Sequence, residues 1–162
     1  MSAGFTRAAI RSDAARIAAI YNQGIEDRVA TFETEPRNAE QILKWFTEGY
    51  PVFVSGENQT VQAYAAAFPY RSRPCYDGVR EFSVYVAREG RGKGFGKAAL
   101  GALIDDARLR GWWKLLSRIF PENTSSRKLC AALGFREVGI YEKHGRLDGQ
   151  WRDTVIVEKL LS

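Results

Sequence analysis
The chain has 162 residues, of which 45% are hydrophobic, 12% aromatic and 27% charged, the composition of a globular protein about one domain in size. Its 24 Lys and Arg against 19 Asp and Glu leave a net charge of +5, and no apolar run approaches the roughly 20 residues of a membrane span. Two cysteines without a C-x-x-C pair give no disulfide framework, and a single histidine, His144, argues against a histidine metal site. The first residues, MSAGFTRAAIRSDAARIAAIYN, lack a continuous apolar stretch and a cleavage site, so no secretory signal is expected and a cytoplasmic location is. The charge excess is local: residues 1–80 carry nine basic and nine acidic side chains, whereas residues 88–128 carry ten basic and four acidic ones.

In chain order, residues 6–10 read as a short strand, and Ser12-Asp13 as the start of a helix with Ala14, Ile17, Ala18 and Tyr21 at helical spacing. A second helix begins after Arg37 or Asn38, packs Ile42, Leu43, Trp45 and Phe46, and stops at Gly49. Residues 51–55 and 61–68 form a strand pair around Gly56-Glu57-Asn58. Residues 81–87 are a strong strand. The clearest helix spans 97–110, with Leu100, Leu103, Ile104 and Ala107 in one stripe and Gly111 just past its end. A strand over 114–119, a short helix over 125–133 capped by Asn123, Thr124 or Ser125, and strands over 138–141 and 151–159 around Asp148-Gly149 complete the chain. The order β-α-α-β-β-β-α-β-α-β-β predicts one α/β (α+β) domain over residues 1–162. Its sheet is mixed and mostly antiparallel, with helices on both faces.

Between the strand at 81–87 and the long helix lies Arg88-Glu89-Gly90-Arg91-Gly92-Lys93-Gly94-Phe95-Gly96-Lys97. Alternate glycines let the backbone turn tightly, and the helix N-terminus beyond them favours a phosphate. A P-loop requires a glycine five positions before Gly96 and a hydroxyl after the lysine; the chain has Arg91 and Ala98 there. A dinucleotide fingerprint lacks its acidic ribose ligand about 20 residues on. The acyl-CoA pyrophosphate pattern [QR]-x-x-G-x-[GA] is matched at every fixed position by Arg91, Gly94 and Gly96. A solvated glycine-rich turn is the alternative for the hexapeptide alone.

The hexapeptide is followed by Pro121-Glu122-Asn123-Thr124-Ser125-Ser126 and by Leu133-Gly134-Phe135. Together these segments resemble the GNAT superfamily of acyl-CoA-dependent N-acyltransferases. Tyr21-Asn22, Thr31-Phe32-Glu33-Thr34, the segment from Pro69 to Tyr76, Glu81-x-Ser83-Val84-Tyr85-Val86 and Trp151-x-Asp153 carry a narrower resemblance, over nearly the whole chain, to the phosphinothricin N-acetyltransferase group. That resemblance implies acetyl-CoA as co-substrate and no metal. It implies as acceptor the α-amine of a small amino acid or analogue: phosphinothricin, methionine sulfone or sulfoximine, or an arsenic-containing mimic of glutamate. Group members are generally homodimers. The implied cofactor residues are Val84, Tyr85, Val86, Arg91, Gly92, Lys93, Gly94, Phe95, Gly96, Lys97, Asn123 and Ser126.

Acetyl transfer to an amine requires loss of the ammonium proton, a polarised thioester carbonyl and a stabilised leaving thiolate. Glu81 shares one face of its strand with Ser83 and Tyr85. An acid within a strand adjoining the cofactor loop reads as the general base, with an edge-strand glutamate in water as the alternative. Backbone N–H groups around residues 84–86 would polarise the carbonyl. Many relatives place a tyrosine after the leucine of the second motif as general acid; this chain has Cys130 after Leu129. Tyr85, Cys130 and water remain open for that proton, with a buried structural thiol the expected role of Cys130. Arg71 and Arg73 are the expected carboxylate ligands, since guanidinium forks bind such groups in bidentate fashion, with surface solubility as the alternative. Phe32, Tyr76 and Ser83 would wall the acceptor site. His144 stays open between that site, a dimer contact and an exposed hairpin. A peptide or protein acetyltransferase, a non-catalytic acyl-CoA-binding regulator and a nucleic-acid module, the last prompted by a pI near 9.4, are the competing classes. No nucleic-acid motif and no membrane-binding element accompanies the charge, so neither partner is expected.

Overall fold
The computed structural model describes residues 4–161. Its elements are β1 (Gly4–Ala8), α1 (Ala14–Asp27), α2 (Ala39–Thr47), β2 (Val52–Glu57), β3 (Thr60–Pro69), β4 (Val79–Val86), α3 (Phe95–Leu109), β5 (Lys114–Ile119), α4 (Thr124–Ala132), β6 (Arg136–Leu147) and β7 (Gln150–Leu160). They follow the expected order and form one seven-stranded sheet, β1-β2-β3-β4-β5-β7-β6. Among the described residues only the β4–β5 pair is parallel. This is the mixed, mostly antiparallel sheet that the element order predicts.

Strand alternation gives the sheet two apolar faces. On one, Leu100, Leu103 and Ile104 of α3 pack with Phe82, Leu115, Val155 and Val157; on the other, Ile17, Ile20, Ile42 and Trp45 pack with Val54 and Tyr64. Each fully buried Leu, Ile or Val of this kind stabilises the fold by about 1.5–3 kcal/mol. The helix starts carry their own signals. Asn38 accepts from the Gln41 backbone N–H while the Gln41 side chain accepts from that of Asn38, a reciprocal cap on α2.

Several boundaries differ from the sequence expectation. Helix α1 runs on from Tyr21 to Asp27, and α3 begins two residues early, at Phe95. The first hairpin turns at Asn58-Gln59 rather than over 56–58, and both residues have positive φ, as does the Asp148-Gly149 pair in the last hairpin. Such two-residue turns match the right-handed twist of the flanking strands. Strand β6 covers 136–147 instead of 138–141, with a bulge between Tyr141 and Gly145. The bulge is held by the Lys143 backbone N–H donating to Asp153 at 2.8 Å, which gives the Trp151-x-Asp153 motif a structural task.

The site is created where the sheet opens. Strands β4 and β5 pair only from Val79–Lys114 to Glu81–Leu116 and then diverge. One further link, Ser117 Oγ donating to the Phe82 carbonyl at 2.9 Å, spans the start of the gap. Two spaces meet across this slot.

Candidate active site
The first space is a groove of about 490 Å³ along the β4–α3 loop, reaching α4. Gly92 and Gly94 have φ of +78° and +85°, the left-handed region that glycine adopts without strain. Gly94 caps α3, so the first N–H groups of that helix face the groove. Gly96 is required for another reason. A Cβ there would lie 2.8 Å from Leu129 and 2.9 Å from Val86, both groove residues.

The charge of the 88–128 stretch proves to be mostly internal. Arg88 pairs with Glu26 and Asp27, Arg91 with Asp27 at 2.8 Å, and Lys93 with Glu57 at 3.5 Å. Arg108, Arg110, Lys114, Arg118 and Arg127 also have acidic partners. Among the described residues, Lys97 and Lys128 are the two basic side chains of the stretch outside any ion pair, and both line the groove. The surface there is therefore a local cationic site rather than a broad basic face.

The second space is a cavity of about 520 Å³ beyond the slot. Ala30, Val84, Tyr85, Asn123 and Ser126 line both spaces. Asn123 secures the junction by accepting from the Ser126 backbone N–H and donating to the Val29 carbonyl. Backbone groups of successive strand residues point to opposite strand edges. Since the Phe82 carbonyl faces β5, those of Val84 and Val86 face the slot, where β5 no longer pairs with them.

Glu81 lies in the cavity wall with its side chain 25% exposed, and accepts from Arg118 at 2.9 Å. Arg118 also meets His144 Nε2 at 3.5 Å. Across the cavity, Arg37 is clamped by Glu33 and stacks over Tyr21 with its Cζ 4.3 Å from the ring centre. Glu33 is buried enough to favour its neutral form, yet Arg37 and Tyr21 hold its pKa below the usual value. Burial and the bond to Glu33 push the Tyr21 hydroxyl up to about 12. Burial raises the Tyr85 hydroxyl also, and its ring stacks flat on Tyr64. Two lining hydroxyls, Tyr64 Oη (residue 0% exposed) and Thr154 Oγ1 (2%), have no hydrogen-bond partner among the described residues. Buried polar groups are normally paired, so these two are exceptions in the cavity wall.

The expected residues divide between the spaces and the surface. Val84, Tyr85, Val86, Arg91, Gly92, Gly94, Phe95, Gly96, Lys97, Asn123 and Ser126 line the groove; Lys93 does not. Phe32, Glu81, Ser83, Tyr85 and His144 line the cavity. Arg71, Arg73 and Tyr76 stay outside it, on the exposed β3–β4 connection, where Arg71 stacks on Tyr70. Cys130 borders the cavity but is packed into the core, where burial pushes its thiol up to about 12. Sequence reasoning missed Lys128 in the groove and Arg37, Tyr64, Arg118 and Thr154 in the cavity. For Arg118 a signal existed: position 118 falls on the same sheet face as Glu81 once β4 and β5 are set parallel.

Among the described residues no group of three or more His, Cys, Asp or Glu side chains is placed to hold a metal, and no helix is long and apolar enough to cross a membrane. Residues 17–135 match the model of the acetyltransferase (GNAT) family. The chain is 35% identical to an L-amino acid N-acyltransferase of Escherichia coli, over 98% of this chain and 92% of that protein. It is 34% identical to the L-methionine sulfoximine/L-methionine sulfone acetyltransferase of Salmonella typhimurium, over 94% and 91%. The crystal structure of a phosphinothricin acetyltransferase from Sinorhizobium meliloti in complex with acetyl-CoA superposes with a TM-score of 0.91 at 32% identity, covering 98% of this chain and 89% of that one.

Proposed function
This chain belongs to the GNAT acetyltransferase family, and on that premise we propose that it acetylates the α-amine of a free amino acid or of a glutamate- or methionine-like analogue. Phosphinothricin, methionine sulfone, methionine sulfoximine and an arsenic-containing mimic are the acceptors expected, in detoxification or resistance. The observation that carries this reading is the slot itself. It joins a glycine-lined groove to a charged cavity, and Glu81 lies on the cavity side. The names of the amino-acid-acetylating relatives support the acceptor class.

The groove residues fit acetyl-CoA. Gly92, Gly94 and Gly96 allow close approach of the backbone, the N-terminal amides of α3 suit a pyrophosphate, and Lys97 and Lys128 add uncommitted positive charge. Bound there, acetyl-CoA would supply an acetyl thioester, whose C–S bond breaks to release the CoA thiolate as the amide bond forms. Arg91, tied to Asp27, acts in this reading mainly by bracing the loop, and Phe95, Asn123 and Ser126 shape the groove. Glu81 takes the ammonium proton of the acceptor, directly or through a water. The Val84 and Val86 N–H groups, aimed into the slot, polarise the carbonyl. Tyr85 borders both spaces, whereas Cys130 borders the cavity alone and is packed into the core, so we assign Tyr85, rather than Cys130, to the thiolate side of the slot.

Two further parts of the reading are a cytoplasmic location and a homodimer. Val138, Ile140, Tyr141 and Trp151, exposed on the terminal hairpin at the sheet edge, support the dimer. The direct test is incubation with acetyl-CoA and each of the four acceptors, with products identified by mass spectrometry. Formation of the N-acetyl amino acid is expected, and its absence from every reaction would refute the acceptor class.

A further inference from the structure
The cavity contains two arginines, and they are not equivalent. Arg37 is fixed by stacking and pairing: its Nε and one terminal nitrogen donate to the Glu33 carboxylate, and its guanidinium lies over Tyr21, with the Trp45 ring centre 5.7 Å away. Its backbone is held as well, by reciprocal bonds to the Asn22 side chain. Arg118 is freer. Its side chain is 41% exposed, and of its five N–H groups one donates to Glu81 at 2.9 Å while a second terminal nitrogen makes a long contact, 3.5 Å, to His144. Nε has no hydrogen-bond partner among the described residues. Meanwhile Arg71 and Arg73 do not line the cavity at all.

An α-amino acid carries an ammonium and a carboxylate on the same carbon. A site that binds it must offer a negative and a positive group side by side, and Glu81 and Arg118 are such a pair in the wall beside the slot. We infer that the Glu81–Arg118 pair receives the acceptor as a zwitterion, Glu81 taking the ammonium and Arg118 the α-carboxylate through its uncommitted N–H groups. The inference rests on the amino-acid reading given above and names the residue that makes the α-carboxylate a requirement. A half-exposed ion pair gains little from its own attraction, so exchanging it for two contacts to the substrate loses little. A planar guanidinium fork matches a carboxylate better than a lysine ammonium does. His144, within the β6 bulge, lies beside the other terminal nitrogen of Arg118.

The test compares methionine sulfone with its α-carboxamide as acceptors for the full-length wild-type protein, Arg118→Gln and Arg118→Lys. Loss of Arg118 also removes the partner of Glu81, but that effect falls on acid and amide alike, so the ratio of their kcat/KM values isolates the carboxylate contact. The wild type should strongly prefer the acid. In Arg118→Gln the acid/amide ratio should fall by about 10- to 150-fold, the range for a lost hydrogen bond to a charged group, with Arg118→Lys in between. Acetyl-CoA binding, measured by calorimetry, should be unchanged in both variants and reports that they are folded; should Gln fail that check, the Lys variant alone decides, through the same ratio. An unchanged ratio would overturn the role of Arg118 while leaving the acceptor class intact. A wild type that acetylates the amide as well as the acid would overturn the carboxylate requirement. A wild type inactive on every free amino acid would remove both this inference and the reading on which it rests.

Discussion
Gly145 offers a way to narrow the acceptor cavity without touching the cofactor groove. It lies in β6 opposite Arg152, just past the bulge, and a Cβ built there would come 2.8 Å from Phe32 Cε1, 2.9 Å from Cζ and 3.2 Å from Cδ1. Three ring atoms at or inside the closest tolerated approach mean that the ring must move. It cannot retreat towards Phe120, against which it packs edge-on with centroids 4.9 Å apart, and Phe120 is itself covered by Arg152. Phe32 and Gly145 both line the acceptor cavity, so the added methyl and the displaced ring take up space at its wall. One methylene more or less in a substrate pocket is worth about 1–3 kcal/mol of discrimination. Expressed at tenfold per 1.4 kcal/mol, Gly145→Ala should lower kcat/KM for a bulky acceptor such as methionine sulfone by about 5- to 150-fold. Alanine as acceptor should suffer less, and KM for acetyl-CoA should stay near the wild-type value. Initial-rate thiol release at varied acceptor and varied acetyl-CoA measures both. Acceptor kinetics within twofold of wild type, or an equal change for acetyl-CoA, would refute this placement of Phe32 and Gly145.

Replacing Glu81 with Gln should reduce kcat by about 10²- to 10⁴-fold, the usual contribution of a general base, with the acetyl-CoA Kd from calorimetry nearly unchanged; full turnover across the pH range would remove Glu81 from that role. The two thiols should separate by reactivity, because Cys75 is exposed and Cys130 is buried with its thiol pushed up to about 12. A thiol-reactive dye should therefore label one cysteine in the native protein and two after denaturation, and rapid labelling of both would contradict the core position of Cys130. Asp13 resists the neutralising effect of its burial because Arg7 and the Ile10 N–H bond it, so its pKa lies below the usual carboxylate range in the folded chain. Its contribution to stability is present above the unfolded value of about 3.9 and is lost as pH falls through the lower folded value. Asp13→Asn should accordingly lower Tm at pH 7 and lessen its acid dependence; a parallel drop in Tm at every pH would show that the charge is not what Asp13 contributes.

Local periodicity made the element order legible, and the glycines at 92, 94 and 96 with the helix behind them made the groove legible, because both features lie within short stretches of chain. The face occupied by Glu81, Ser83 and Tyr85 followed from strand alternation alone. The cavity was harder to read since its lining comes from α1, the α1–α2 connection, β3, β4, β5, β6 and β7. Arg118, Tyr64 and Thr154 have no local motif, and their meeting depends on strand neighbours far apart in sequence. Arg71 and Arg73 illustrate the converse. A Pro-bounded Arg-x-Arg segment attracts notice, but nothing within it tells which way an exposed connection faces. The length of β6 was underestimated because an edge strand exposed on both faces lacks the alternation that marks a half-buried one.

The central claim, a free amino acid received beside the slot, is tested most directly by kcat/KM for thiol release across phosphinothricin, methionine sulfone, methionine sulfoximine, glutamate and a dipeptide. The amino-acid analogues should be turned over, with the dipeptide far behind because its α-amine lies away from its only free α-carboxylate. Turnover confined to the dipeptide would contradict the account.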